Sequence, residues 1–200
     1  MVAIALYLFT PIGGIITQVV TSVVSYAGMA IASIWDKDIR ADMNRIGWNP
    51  FNSNIKAVLD SDKVSFYKGV PVYRTNYERS GSFCAIFLSR GYTNRNGVFI
   101  RENNPDTVRH EWGHAVQQMI LGPGKYGLFI GIPSWREWST RPYYDRPWEV
   151  TADIFGGVSP QSRSDNRNPR TSENSARGLA YLATAYFYGP FVYLFLFREY

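Results

Sequence analysis

Charge is absent from the first 35 residues, and the first charged side chain is Asp36. Pro11-Ile12-Gly13-Gly14 interrupts this run, so the pattern predicts two helical pieces, residues 2–9 and 15–35, arranged as a hairpin. Residues 15–35 are long enough to cross a bilayer. Gly28 and Ala32 are four apart, a spacing that permits close helix packing. Thr17, Gln18, Thr21, Ser22 and Ser25 fall between the pairs Val19-Val20 and Val23-Val24. That spacing gives one apolar and one hydroxyl-rich helical face, so a buried amphipathic helix competes with a membrane segment. The start, Met1-Val2-Ala3-Ile4, has no Lys or Arg, which argues against a standard signal peptide.

Beyond Asp36 the pattern changes twice. Residues 36–54 are polar and rich in Asn, and read as a short helix followed by a loop. Residues 64–101 hold short β-rich runs separated by Gly, Asn and Ser: Val64–Tyr67, Val70–Tyr73, Ser82–Leu88 and Gly97–Arg101. Asn104-Pro105-Asp106 then has the chemistry of a helix start, and Leu121-Gly122-Pro123-Gly124 that of a stop. Val108, Ala115, Met119 and Ile120 supply packing surface on that helix. A second helix runs from Pro147 to Gly156-Gly157. The connection at 122–146 carries Trp135, Trp138, Tyr143 and Tyr144, and is expected as a loop beside any cleft between the two helices. Residues 161–176 read as an exposed polar linker, and 177–200 as an apolar C-terminal helix that either spans a membrane or packs as core. The expected organisation is an apolar segment (1–35), a central domain (36–160), the linker and the C-terminal helix. The fold class is α+β, with a small, mostly antiparallel sheet and two prominent helices.

Composition changes this picture little. Aromatic content is 16%, so material for a core is plentiful. The net charge of +5 comes from scattered basic residues with no Lys/Arg run, which argues against a nucleic-acid partner. Cys84 is the sole cysteine and sits in a strand-like run, where it reads as a small buried hydrophobe.

The chemistry lies in two short segments. His110-Glu111-Trp112-Gly113-His114 contains both histidines of the chain. Imidazoles four apart share one helical face and can reach one metal ion, Zn2+ above all, while the Glu between them is placed to act on water at that metal. Downstream, Glu149 and Asp153 are also four apart. Glu149 can complete the ligand set, and Asp153 can accept the spare ring N–H of a ligand histidine, with His110 the favoured partner. A developing oxyanion needs a further donor, and no third histidine exists. Arg141, Tyr143, Tyr144 and Arg146, which closely precede Glu149, are the candidates.

HEWGH followed by EVTAD resembles the gluzincin metallopeptidases. A wider stretch, about residues 36–160, is similar to C-terminal domains of bacterial RHS-repeat and polymorphic-toxin proteins. Asp38-Ile39-Arg40, Phe66 to Val72, Arg79 to Phe83 and Trp148 to Gly157 carry that likeness. The resemblance implies a zincin-like fold, zinc, and hydrolysis of peptide bonds. It implies His110, His114 and Glu149 as ligands and Glu111 as general base. It also implies a protein or peptide substrate, a secreted or delivered bacterial effector, and an immunity protein as partner. In a zincin one strand facing the cleft receives the substrate as a further strand, and the runs at 82–88 and 97–101 are the candidates. Two other readings stay open: a membrane-bound protease of the prenyl-protease type, whose ExxAD pattern Glu149 to Asp153 fits, and a non-enzymatic membrane-translocation module with a vestigial metal site.

Overall fold

A computed structural model describes residues 1–74, 91–94, 97–100, 104–137, 143–159 and 170–187. It is α+β, with helices predominating around one small sheet. The first helices are α1 (Val2–Phe9) and α2 (Pro11–Ala32), separated by Thr10 in an extended conformation, with Pro11 opening α2. Next come α3 (Lys37–Arg45) and α4 (Ile55–Leu59), whose free N–H groups are capped by the side chains of Asp36 and Asn54.

The described strands are β1 (Val64–Tyr67), β2 (Val70–Arg74), β3 (Gly91–Asn94) and β4 (Gly97–Ile100), in the order β1-β2-β4-β3. The pairs β1–β2 and β3–β4 are antiparallel, as expected, but β2 and β4 run parallel. β3, which lies between them in the chain and runs antiparallel to β4, provides the return that lets β2 and β4 run parallel. β3 was not legible as a strand. It is four residues long and pairs antiparallel with β4, Asn94 opposite Gly97. The expected strand at 82–88, with Cys84, lies outside the described residues. The run at 97–101 is corrected in its role: β4 is bonded on both sides, to β2 and β3, so it has no edge to offer a substrate.

The metal-motif helix, α5, spans Pro105–Tyr126. Asn104 caps it through the Asp106 N–H at 2.9 Å. Its Val108 and Ala115 join Tyr67, Val70, Val72 and Ile100 in one core cluster. Trp112 meets Tyr67 edge-on and lies under the Lys68 ammonium, which pins α5 to the sheet. The expected stop is a sharp kink: Gly122 is non-helical at φ 76°, and Pro123 starts a new helical stretch. The connection read as a loop is therefore largely helical. It continues as a π-helical turn (Gly127–Gly131) and α6 (Ile132–Glu137), because Phe129 and Ile130 are drawn into a second core cluster with Leu121, Trp148 and Tyr181. A 3₁₀ turn (Tyr143–Asp145) leads into α7 (Pro147–Gly156), which ends on Gly157 at φ 68°. Helix α8 (Ser172–Phe187) starts inside the stretch read as linker and packs on α7 through Gly178, Tyr181, Leu182 and Ala185. Positions 160–169 and 188–200, which carry the rest of the linker and the remainder of the apolar C-terminal run, lie outside the described residues.

The crossing of α5 and α7 is backbone on backbone. A Cβ at Gly113 would overlap the carbonyl of Ala152, and one at Gly156 would overlap the carbonyl of Arg109. Gly113→Ala is expected to force the helices apart and cost on the order of 2–3 kcal/mol or more, read as a fall in denaturant midpoint. Gly127→Ala is the control: it is helical with open space around it, and should cost nothing or stabilise by up to about 1 kcal/mol. Equal effects from the two would contradict the packing described.

Candidate metal centre

Because α5 and α7 touch at their glycines, side chains one turn away meet across the interface. His110, His114 and Glu149 converge, and their potential ligand atoms lie within 4.8 Å of one another. All three are buried. The Glu149 Oε2 atom lies 3.0 Å from His110 Nε2 and 3.5 Å from His114 Nε2. Ligands of one metal ion with bonds of about 2.0–2.2 Å stand roughly 3.3–3.6 Å apart in a tetrahedron, so the group could hold a metal ion. The rings meet edge to face, with centroids 4.8 Å apart.

The other ring nitrogens are also spoken for. His110 Nδ1 faces Asp153 Oδ1 at 2.6 Å, the partnership expected from the sequence. His114 Nδ1 faces Gln117 Oε1 at 2.7 Å. The amide of Gln117 is oriented by its own donors, which reach Trp148 O at 2.7 Å and Thr151 Oγ1 at 2.6 Å. Gln117 Oε1 is therefore the acceptor, and His114 carries its proton on Nδ1. Each Nδ1 thus donates outward, and each Nε2 turns its lone pair toward the Glu149 carboxylate. Lone pairs aimed at a buried carboxylate repel unless a cation lies between them, and a proton or a metal ion can fill that role.

The titration behaviour agrees. Burial opposes charge on His110, but the Asp153 and Glu149 carboxylates outweigh it and hold its pKa well above the ordinary value. Burial likewise opposes charge on His114, and Glu149 again raises its pKa. Burial opposes ionisation of Glu149, yet the two imidazoles pull its pKa far below the usual carboxylate range.

Other expected site residues fall out differently. Glu111 is buried on α5 between the two histidines in sequence, and its charge is felt by His114 and by Tyr126. Tyr144 lies edge-on to His110, with centroids 6.3 Å apart. Arg146 is the residue at the start of α7, and its backbone carbonyl accepts from Val150 N. Arg141, the side chain of Tyr143 and Trp138 lie outside the described residues. Gln117 and Gln118 are both buried: one holds His114, and the other faces Gln18 Nε2 at 3.5 Å.

Three contributors were missed. Gln117 is three residues after His114, so the helical period could have found it. Ser134 on α6 points its hydroxyl at Glu149 Oε1 from 3.5 Å, out of the stretch read as a loop. Tyr126 follows the Gly122 kink; burial pushes its phenol pKa well up, and the charges of Glu111 and Glu149 push it further. No family profile matches the chain, and no curated protein or solved structure is significantly similar to it.

Asp153→Asn and Gln117→Leu are each expected to weaken zinc about 10–100-fold in a competition titration against a chromophoric chelator, with the fold retained. Unchanged affinity in both would show that neither orients a ligand. A pH series gives a second check. Protons compete with zinc for both Nε2 atoms, and the raised pKa values extend that competition above the ordinary histidine value of 6.5. Apparent zinc affinity should rise with pH through that elevated range. The metal-free fold should behave oppositely. The raised histidines stabilise it fully below about 6.5 and lose that contribution as pH rises through their folded pKa, while Glu149, lowered from 4.5, contributes only above its ordinary range.

Proposed function

We propose that this protein is a zinc-dependent metallopeptidase. The observation that carries the reading is the convergence of His110 Nε2, His114 Nε2 and Glu149 Oε2 in a buried site whose outer nitrogens are fixed by Asp153 and Gln117. These three residues would hold the ion. Bound there, zinc supplies Lewis acidity, which lowers the pKa of water and polarises a carbonyl.

The chain's own groups account for the rest. Glu111 stands next to a ligand in sequence and is not one of the converging three; its assigned role is to accept a proton from the attacking water and pass it to the departing amine. Ser134 and the two imidazoles orient Glu149. Tyr126 stays protonated under the charges of Glu111 and Glu149, and Tyr144 lies against His110; these two phenols are the hydroxyl donors at hand for an oxyanion. The substrate would be a protein or peptide. The sequence pattern of residues 36–160, read as resembling RHS-repeat and polymorphic-toxin domains, motivates the further proposal of a delivered bacterial effector with an immunity protein as its counterpart.

Glu111→Gln is expected to keep one zinc per chain while losing about 10²–10⁴-fold in turnover of fluorogenic casein. Tyr126→Phe should lower kcat by roughly 10²-fold with little change in KM. Full turnover by the zinc-loaded Glu111→Gln variant would defeat the proposed chemistry. A zinc-loaded wild type that hydrolyses no peptide bond would leave a binding module with a vestigial site.

A further inference from the structure

Helix α2 is packed inside out. Its buried positions include Gly13, Gly14, Thr17, Gln18 and Ser22, and its exposed ones include Ile12, Ile15, Ile16, Val19, Val20, Val23, Val24 and Ile31. From Thr17 to Ser25 the inward face is held by polar contacts, and beyond it Met29 enters an apolar cluster with Met43, Ile46 and Phe66. Thr17 accepts from or donates to the Tyr7 hydroxyl at 2.8 Å, Ser22 donates to the Gly69 carbonyl, and Ser25 meets the Tyr73 hydroxyl at 2.6 Å. Gly14 lies against the α5 backbone at Gln118 and Met119. A helix on a water-facing surface does the opposite, turning its apolar stripe to the core. Here the hydroxyls of Thr17, Ser22 and Ser25 find partners in the protein, and the Ile and Val side chains face outward.

We propose that α1 and α2 form a lipid-embedded hairpin, with bilayer hydrocarbon as the medium around its outward face. Three observations favour lipid over a protein partner. Helix α1 has no buried residue, and Val2 through Tyr7 are exposed around its whole circumference; a partner chain covers one side of a helix, whereas a solvent surrounds it. Helix α2 is 22 residues long, about 33 Å, which matches a hydrocarbon core of about 30 Å, and it is the one helix among the described residues long and apolar enough to cross a membrane. Aromatic side chains of the kind that favour a headgroup boundary lie near the C-terminal half of α2: Trp35 and Trp48 are exposed there, and Tyr26 donates to the Trp48 carbonyl. Arg40 closes that end by donating to the carbonyls of Ser33 and Ile34 at 2.8 and 2.7 Å. Since α2 packs directly on α5, the helix carrying His110, Glu111 and His114 stands next to the hairpin.

The test is flotation of the full chain with vesicles of phosphatidylcholine alone, a neutral lipid that removes any contribution from the net charge. The wild type is expected to float and to stay with the vesicles after an alkaline carbonate wash. The triple variant Ile16→Lys, Val20→Lys, Val23→Lys should remain in the dense fraction while keeping its zinc. A wild type that stays monomeric and lipid-free in detergent-free buffer would overturn the proposal. So would a vesicle-independent oligomer, which would assign the face to protein, or a zinc-loaded triple variant that floats. Should the triple variant lose its zinc, quenching of wild-type tryptophan emission by brominated phosphatidylcholine decides: quenching supports the embedded hairpin, and its absence refutes it. Zinc content, measured separately, keeps this outcome distinct from the peptidase reading.

Discussion

Close contact between two helix backbones governs this structure. Gly113 on α5 and Gly156 on α7 remove the only atoms that would hold the helices apart. With a side chain at either position, the carbonyl of Ala152 or of Arg109 would have to move. Everything chemical follows from that approach. Glu149 and Asp153 are short side chains on a separate helix, and both reach His110 because the axes are close. The sheet and α8 act as supports: Trp112 fixes α5 to β1, and Tyr181 and Trp148 fix α8 to α7.

Electrostatics then gives the site its character. Two carboxylates, Glu149 and Asp153, bracket His110 in a buried setting, and His114 completes the group. Such a cluster is costly without a cation, since acceptors face acceptors across short distances. The fold meets this by fixing the outer hydrogen bonds, so that both inner lone pairs converge on one point. Gln117 is part of that device, because its amide is locked by Trp148 O and Thr151 Oγ1 before it meets His114.

Much of the site was legible in the sequence because its determinants are local. The four-residue spacings of His110–His114 and Glu149–Asp153 follow from the helical period, and Asn104 and Gly157 mark helix ends by their own side-chain or backbone chemistry. What escaped was set by packing. Gly113 stands in full view inside HEWGH, yet nothing local says that its missing Cβ faces Ala152. Ser134 reaches the site, and Tyr126 comes under its charge, only after the Gly122 kink redirects the chain. β3 exists because β4 pairs with it. The two-faced pattern of α2 was visible, but periodicity cannot say which face turns inward, because that depends on the medium outside.

The central claim is that His110, His114 and Glu149 bind one zinc ion with nitrogen and oxygen atoms. X-ray absorption at the zinc edge of the loaded protein tests it most directly. The account predicts one zinc per chain, the multiple-scattering signature of two imidazoles, and nitrogen or oxygen neighbours at about 2.0–2.2 Å. A sulfur neighbour near 2.3 Å, a shell lacking imidazole, or failure to retain stoichiometric zinc would contradict it.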